Sequence, residues 1–243
     1  MLRLSDFDVL SFDCYGTLID WETGILEALA PWLERQGAFR DPEAILEAFA
    51  RHESAQEAES PSLRYPEVLA RVHRRLAVEW GLESTPEDAA AFGASVPRWP
   101  AFPDSPEALR SLQRRYRLVI LSNVDRASFR ASEERLGVRF DDVFTAEDIG
   151  SYKPAPANFE YLLRELARRG VARQRILHTA QSLYHDHVPA RRLGLATAWI
   201  DRRRDRQGGG ATLPPGEAVE PDFTFSSLEE MARARDREAP GAA

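Results

Sequence analysis

The sequence contains a single cysteine, Cys14, among its 243 residues. One cysteine cannot form a disulfide within the chain, and a lone thiol is typical of a reducing compartment. The apolar runs are all far shorter than the roughly 20 residues that cross a bilayer. The first residues include acidic side chains and only a short apolar run, which does not match a secretory signal. We therefore expect a cytoplasmic protein with no membrane partner.

The sequence also lacks an excess of basic residues. Its 32 Lys and Arg residues are outnumbered by 39 Asp and Glu residues, which gives a net charge of −7. A mildly acidic chain disfavours nucleic acid as the main partner, although a local basic pocket can still bind a small anion. The length is sufficient for one large domain, or for a domain with a sizeable insertion.

Short apolar segments alternate with helical patterns over most of the chain. Residues 9–12, 118–121, 176–180 and 196–200 have the composition of buried strands, and residues 222–225 fit an edge strand. The segments between them have apolar residues at helical spacing. This alternation is typical of an α/β fold with a doubly wound, Rossmann-like parallel sheet.

Residues 19–99 contain no strand pattern and are predicted to be entirely helical. Prolines in first-turn positions mark helix starts there, as Pro42 does after Asp41. We therefore expect a discontinuous catalytic core formed by residues 1–18 and 100–243. An all-helical domain of residues 19–99 is inserted into it.

An acidic residue, Asp13, ends the first predicted strand, and Gly16 follows where the chain can turn. Burying a carboxylate is costly unless a partner offsets the cost, whereas ligands bind at the carboxyl ends of strands in open α/β sheets. Asp13 is thus either a chemical group available to a substrate or a turn residue before Gly16. The adjacent Cys14 is interpreted as a small buried side chain, because no histidine near it in sequence could activate it.

Other polar residues lie at or just beyond predicted strand ends: Thr17, Ser122, Asn123, Lys153 and Asp186. If those ends meet at one edge of the sheet, an ionised Asp13 can attack carbon or phosphorus without a base to deprotonate it. Lys153 then offsets the repulsion between Asp13 and Asp186. The hydroxyl and amide groups can hold the nucleophile or the charged group of a substrate.

Four segments, in this order, resemble the motifs of the haloacid dehalogenase superfamily. They are Asp-x-x-Gly-Thr-Leu at 13–18, Leu-Ser-Asn at 121–123, Tyr-Lys-Pro at 152–154 and the acid at 186. The resemblance implies that residues 19–99 form a cap that closes over the nucleophile and excludes water. It also implies catalytic roles for the matching residues, which are Asp13, Thr17, Ser122, Asn123, Lys153 and Asp186.

The residue two after the nucleophile separates two branches of this superfamily. Its Mg²⁺-dependent phosphatases have a second aspartate there, as acid and base for the leaving group, whereas this sequence has Tyr15. An aromatic residue is similar to the type II (S)-2-haloacid dehalogenases, which need no metal. The resemblance implies that Asp13 displaces halide from a short 2-haloacid, and that water hydrolyses the resulting ester with help from Asp186. No metal and no other cofactor is expected.

The resemblance further implies a cap arginine that binds the anionic substrate or the departing halide. Arg51 is the candidate by rough alignment and Arg64 is the second choice, although either is otherwise a solvated helix residue. Tyr15, Ser182 and His185 are the other expected substrate contacts. The resemblance also suggests a homodimer formed through the cap.

The sequence departs from the best-known dehalogenases of this family near the last motif. Leu183 stands where an asparagine is expected, and Phe159 stands where a tyrosine is expected. These changes concern the halide pocket rather than the nucleophile. His185 and His187 are two residues apart, so they lack the i,i+4 spacing of a helical pair of metal ligands.

Two alternatives remain open at this point. One is a phosphomonoesterase of the same superfamily, with Mg²⁺ held by Asp13 and Asp186. The other is a non-catalytic binding protein, because a fold alone does not establish a function.

Overall fold

The computed structural model describes residues 2–238, and its centre is a six-stranded sheet. The strands are β1 (Val9–Phe12), β2 (Arg117–Ser122), β3 (Asp142–Thr145), β4 (Ile176–Ala180), β5 (Ala196–Ile200) and β6 (Phe223–Phe225). Their order is β3-β2-β1-β4-β5-β6, and every neighbouring pair is parallel. The predicted α/β fold with a doubly wound parallel sheet is confirmed.

The strand order reverses next to β1. The chain runs from β1 outward to β3 and then returns to β4, on the other side of β1. Phe12, the last residue of β1, pairs with Ile120 of β2 and with Thr179 of β4. The residue after Phe12 therefore lies between the carboxyl ends of two neighbouring strands, which is where open α/β sheets bind their ligands.

Helices connect and cover the strands. Four of them lie between β1 and β2, namely α1 (Trp21–Arg35), α2 (Pro42–Glu59), α3 (Tyr65–Trp80) and α4 (Pro86–Gly93). The others are α5 (Ser105–Gln113), α6 (Arg126–Leu136), α7 (Ala146–Ile149), α8 (Pro156–Arg168), α9 (Val188–Arg192) and α10 (Leu228–Glu238). The side chains of Asp41 and Thr85 cap α2 and α4, and the cap at Asp41 lies where the sequence predicted a helix start.

The chain enters and leaves the four helices α1–α4 through two paired segments. Ile19 and Ala101 form an antiparallel bridge. The Asp20 N–H donates to the Pro100 carbonyl at 2.8 Å on the same pair of segments. The predicted division into two domains stays a prediction.

The two faces of the sheet bury different sets of side chains. On one face Leu10, Phe12 and Ile120 belong to a large apolar cluster that continues into α1–α4. On the other face Val9 and Val119 pack in a smaller cluster with α8. The central strands are buried on both faces, as a parallel sheet covered by helices requires. None of the helices within residues 2–238 has the length and apolar character needed to cross a bilayer.

The structure differs from the predicted helix over residues 186–193. A π-helix spans Leu183–His187, and α9 follows it. Pro189 has no N–H, so it cannot donate to the carbonyl of His185 as a regular α-helix would require. The N–H of His187 instead donates to the Ser182 carbonyl five residues back, at 3.3 Å. A second difference is that α7 separates β3 from the loop that carries Lys153.

Candidate active site

Asp13 lies immediately beyond the carboxyl end of β1. Its backbone N–H donates to the Thr179 carbonyl on β4 at 3.1 Å. The Thr17 hydroxyl donates to Asp13 Oδ2 at 2.6 Å, and the Lys153 ammonium donates to Oδ1 at 2.9 Å. Gly16, with φ of 91°, permits the turn that brings Thr17 back to the carboxylate. Both oxygens of Asp13 are hydrogen-bonded, so the carboxylate is held in one orientation.

Lys153 is buried, and each of its three ammonium hydrogens has an acceptor. Nζ lies 2.9 Å from Asp13 Oδ1, 2.7 Å from Asp186 Oδ1 and 3.0 Å from the Leu121 carbonyl. An ammonium has three donors, so this one is saturated. Lys153 is also the only lysine of the sequence, because the other 31 of its 32 basic residues are arginines. A compact ammonium fits between two carboxylates where a planar guanidinium does not. The single lysine among so many arginines was therefore a sign of its role that the sequence analysis missed.

Asp186 lies on the π-helix and is equally buried. Its Oδ1 accepts from Lys153 and also from His178 Nε2 at 2.9 Å. His178 Nδ1 is hydrogen-bonded to Ser11 Oγ at 2.9 Å, and Phe159 packs edge-on against the imidazole ring. Among residues 2–238, Asp186 Oδ2 has no hydrogen-bond partner. Because Asp186 lines a cavity beside Asp13, this oxygen is free to bind water or a ligand.

The three charged groups shift one another's pKa. Burial lowers the pKa of Lys153, but Asp13 and Asp186 outweigh burial and hold that pKa above its usual value. Burial raises the pKa of Asp186, but Lys153 and His178 outweigh it and hold the pKa well below its usual value. For Asp13 burial prevails over Lys153, and its pKa is raised. The site thus has one ammonium between two carboxyl groups, of which Asp186 is the more acidic.

Ser122 and Asn123, at the end of β2, have different surroundings. Asn123 Oδ1 accepts from the Lys153 N–H at 2.7 Å, and Asn123 Nδ2 donates to the Lys153 carbonyl at 3.0 Å. The same Nδ2 lies 3.2 Å from Glu57 Oε2 on α2. The Ser122 hydroxyl is buried beside the cavity and has no hydrogen-bond partner in the part of the chain that the structure describes. Asn123 therefore positions the backbone of Lys153, while Ser122 has a hydroxyl that is free to bind a ligand.

Tyr15 contributes its ring, rather than its hydroxyl, to the site. The hydroxyl is hydrogen-bonded to Ser132 Oγ on α6 at 2.9 Å. The ring lines the cavity and packs edge-on against Trp99, with the ring centroids 5.6 Å apart. Burial raises the pKa of Tyr15 well above its usual value. A neutral phenol held in this way is a poor substitute for a carboxylic acid that protonates a leaving group.

The π-helix brings Ser182 and His185 to the same cavity. The Ser182 hydroxyl accepts from the backbone N–H of His185 at 2.9 Å and lies 3.2 Å from His185 Nδ1. If the hydroxyl gives its own hydrogen to Nδ1, the ring proton is on Nε2, and this nitrogen has no hydrogen-bond partner within the described residues. Burial lowers the pKa of His185 to about 4, so the ring is neutral at pH 7. His187, in contrast, bonds through Nε2 to the Ala180 carbonyl.

Helix α2 contributes two buried acidic residues that the sequence analysis missed. Glu53 and Glu57 are 3% and 4% exposed, and they are one helical turn apart. The Tyr65 hydroxyl on α3 donates to Glu53 Oε1 at 2.6 Å, and Asn123 donates to Glu57. Burial raises the pKa of Glu53 to about 7, and burial together with Glu53 raises that of Glu57 well above its usual value. Within residues 2–238 neither carboxyl group has a salt-bridge partner.

The spacing of residues along α2 could have indicated that these two acids are buried. Ile45, Phe49, Glu53 and Glu57 follow one another at four-residue spacing, so one buried face of α2 changes from apolar to acidic. Arg51 is two residues from Phe49, which is about 200° around the helix.

The two arginines that were predicted to bind the substrate do not lie at this cavity. Arg51 is about half exposed and pairs with Glu79 of α3 at 3.0 Å. Arg64, which precedes α3, is also about half exposed and lies 3.2 Å from Glu147. Arg51 therefore does not line the cavity that contains Asp13 in this structure, and its predicted contact with the substrate stays a prediction.

The cavity itself is small, at about 30 Å³, which is room for about one water molecule. Eight of the ten predicted site residues line it, and Thr17 contacts Asp13 from outside it, which leaves only Arg51 apart. The lining residues are Asp13, Tyr15, Trp21, Glu53, Tyr65, Ser122, Asn123, Val124, Lys153, Ser182, His185 and Asp186. Across residues 2–238, no three histidine, cysteine or acidic side chains are grouped so that they could hold a metal ion.

Comparison with protein families identifies one match. The family model described as haloacid dehalogenase-like hydrolase matches residues 7–179. No curated protein matches the sequence significantly.

Several solved structures have the same fold. The L-2-haloacid dehalogenase PA0810 has a TM-score of 0.76 and 23% identity, covering 96% of this chain and 100% of its own. The L-2-haloacid dehalogenase from Xanthobacter autotrophicus with covalently bound chloropropionic acid has a TM-score of 0.77 and 18% identity, covering 96% and 100%. YfnB from Bacillus subtilis, bound to magnesium, has a TM-score of 0.76 and 19% identity, covering 97% and 100%. At these identities the likeness shows the fold alone.

Proposed function

Because the chain belongs to the haloacid dehalogenase-like hydrolase family, we propose that it hydrolyses the carbon–halogen bond of a short 2-haloacid. The observation that carries this proposal is how two residues of one loop, Asp13 and Tyr15, are hydrogen-bonded. Asp13 is held at both oxygens beside a cavity, while the hydroxyl of Tyr15 is bonded to Ser132. A carboxylate nucleophile is thus present, and the second carboxylic acid that a phosphate leaving group needs is not at position 15.

In the first step an oxygen of Asp13 attacks the carbon that bears the halogen. A C–O bond forms while the carbon–halogen bond breaks, and the halogen leaves with the bonding electron pair as halide. Lys153 and Thr17 hold the carboxylate at 2.9 Å and 2.6 Å, so little reorientation is needed before the attack. The unpartnered Ser122 hydroxyl and His185 Nε2 line the cavity and serve as donors for the substrate carboxylate or the halide.

In the second step water attacks Cγ of the Asp13 ester. The acyl C–O bond breaks. One proton of the water passes to the leaving oxygen, which came from Asp13 and becomes the hydroxyl of the 2-hydroxy acid, and the other is released as Asp13 returns to a carboxylate. The free Oδ2 of Asp186 orients the water and accepts its hydrogen bond, and Lys153 stabilises the oxyanion that forms on Asp13. The overall balance is haloacid plus water giving hydroxy acid, halide and a proton.

A substrate panel tests this function directly. The protein is incubated with chloroacetate, fluoroacetate, 2-chloropropionate and a generic phosphate ester, each with Mg²⁺ and with EDTA, and halide and phosphate are measured. We expect halide release that EDTA leaves unchanged. Phosphate release that EDTA abolishes would instead identify the Mg²⁺-dependent phosphomonoesterase, for which the fold shared with magnesium-bound YfnB is the supporting observation.

Oxygen labelling tests the covalent step. In a single turnover in H₂¹⁸O, the first hydroxy acid should be unlabelled, and the label should appear in the Asp13 carboxyl group. Asp13→Asn should release no halide. Label in the first product would show that water attacks the substrate directly, which contradicts the ester. Absence of any product from the whole panel would leave the non-catalytic binding protein open, or would mean that the panel lacks the substrate.

A further inference from the structure

The carboxyl groups of α2 make the site unusually acidic. Three buried carboxyl groups, those of Asp13, Glu53 and Asp186, line the cavity, and a fourth, that of Glu57, is hydrogen-bonded to the lining residue Asn123. Of the described residues, Lys153 is the one cation that lines the cavity, and its ammonium is already saturated by Asp13, Asp186 and a backbone carbonyl. The side of the cavity formed by α2 and α3 therefore offers carboxyl groups with no cation.

A purely structural role does not account for Glu53 and Glu57. A buried carboxyl group without a cation is costly, and a neutral amide of the same shape avoids that cost. Gln56, on the same buried face of α2, is such an amide, and it donates to Ser60 Oγ at 3.2 Å. Within residues 2–238, the acids at positions 53 and 57 are bonded only to neutral donors, the hydroxyl of Tyr65 and the amide of Asn123.

We propose that the substrate carries a protonated amine close to the carbon that is attacked, and that Glu53 and Glu57 bind this amine. The identity of the attacked carbon rests on the function proposed above. The core already shows the same recognition, because the ammonium of Lys153 is held between Asp13 and Asp186. A substrate ammonium on the α2 side is held by Glu53 and Glu57 in the same way, through charge-assisted hydrogen bonds. The substrate carboxylate then faces Ser122 and His185, away from α2.

Binding of two matched, unreactive ligands tests the proposal. Propionate and 3-aminopropionate share a carboxylate and differ only by the ammonium group. By calorimetry at pH 8, we expect 3-aminopropionate to bind the wild-type protein at least about tenfold more tightly, since a charge-assisted hydrogen bond is stronger than one between neutral groups. Equal affinities, or tighter binding of propionate, would overturn the proposal.

Variants then assign the ammonium contact to α2. Glu53→Gln and Glu57→Gln keep the side-chain volume, and each should reduce binding of 3-aminopropionate about tenfold while leaving propionate unchanged or tighter. Glu79→Gln is the matched control, because Glu79 is an exposed acid that pairs with Arg51 on the outer surface. A preference that survives both active-site variants would overturn the assignment. If a variant does not fold, the comparison of the two ligands on the wild-type protein still tests whether the site prefers a ligand that carries an ammonium group.

Two further arms separate this inference from the proposed function and from a metal site. Halide release from 3-amino-2-chloropropionate should exceed that from 2-chloropropionate in kcat/KM. Halide release without such a preference would overturn the inference alone. Amine binding without any halide release would overturn the dehalogenase function alone. Mg²⁺ binding that Glu53→Gln abolishes would show that the acids hold a metal, and this too would overturn the inference.

Discussion

The side-chain amide of Asn123 spans the backbone of Lys153, accepting from its N–H at 2.7 Å and donating to its carbonyl at 3.0 Å. Asn123 directly follows β2. Lys153 lies in a loop some thirty residues later, beyond β3 and α7. This pair of hydrogen bonds therefore fixes the loop relative to β2. The position of the ammonium between Asp13 and Asp186 depends on it.

Asn123→Ala removes both of these bonds and should lower kcat about 10- to 100-fold, because a displaced ammonium holds Asp13 less well. Asn123→Asp is the informative companion, since it can accept from the Lys153 N–H but cannot donate to the carbonyl or to Glu57. It should be at least as impaired as the alanine variant, and steady-state halide release measures both. A kcat within twofold of wild type for Asn123→Ala would contradict the positioning role.

Lys153→Met should abolish turnover and strongly destabilise the protein. It leaves Asp13 and Asp186 buried without a cation, and removing one partner of a buried ion pair costs roughly 3–5 kcal/mol. Lys153→Arg should also be inactive, because the guanidinium is larger and planar where the site holds a compact ammonium. Urea unfolding measures the free energy of unfolding. Arg51→Met, at an exposed pair, is the control and should change that free energy by less than about 1 kcal/mol.

The strands, their parallel arrangement and the position of Asp13 beside Ser122 could be predicted from sequence for one physical reason. Residues at the carboxyl ends of neighbouring parallel strands must share an edge of the sheet, whatever the loops do. The apolar strand segments are also buried on both faces, so their pattern is strong.

The contacts made by α2 could not be predicted as firmly, because they depend on the rotation of a helix about its own axis. The alignment placed Arg51 at the substrate, whereas the apolar stripe through Phe49 turns Glu53 inward and Arg51 outward. The π-helix was missed because its hydrogen-bond pattern leaves no distinct hydrophobic period, and Pro189 was its only local indication.

Arg51→Ala tests this rotation in solution. Because Arg51 pairs with Glu79 on the exposed side of the helix, the variant should keep kcat/KM for halide release within about threefold of wild type. Arg64→Ala, at the start of α3, is the matched comparison and should behave similarly. A loss of more than tenfold for Arg51→Ala would show that α2 turns or moves during turnover.

The pKa of Glu53 predicts a pH-dependent difference in stability. This carboxyl group faces Asp13 and the Tyr65 hydroxyl, and burial raises its pKa from 4.5 to about 7. Between those values the folded protein keeps a proton that the unfolded chain has released, so the free energy of unfolding falls as pH rises. The full effect is roughly 3 kcal/mol for such a shift. Glu53→Gln should remove this slope and be more stable than wild type at pH 8.

Other titrating side chains also change the free energy of unfolding with pH, so the test uses the difference in that free energy between Glu53→Gln and wild type. Burial lowers the pKa values of His73, His185 and His187 to about 4, and these side chains act in the opposite direction between pH 4 and 6.5. They are present in both proteins and cancel when the variant is subtracted from wild type. Urea unfolding at pH 5 and pH 8 provides the two differences. Equal values at the two pH values would contradict a raised pKa for Glu53.

Asp186→Asn separates the two chemical steps. The asparagine retains an oxygen that can accept from Lys153 or His178, as Asp186 Oδ1 does now at 2.7 Å and 2.9 Å, but it removes the charge beside the water site. Attack by Asp13 on carbon does not need Asp186, whereas hydrolysis of the ester needs water to be oriented and its proton accepted.

For Asp186→Asn we therefore expect one equivalent of halide per protein in a burst, followed by little or no turnover. Mass spectrometry should find the ester on the peptide that contains Asp13. His185→Gln, which keeps a donor at the cavity, should turn over within about tenfold of wild type. Steady turnover of Asp186→Asn at the wild-type rate would show that another group orients the water.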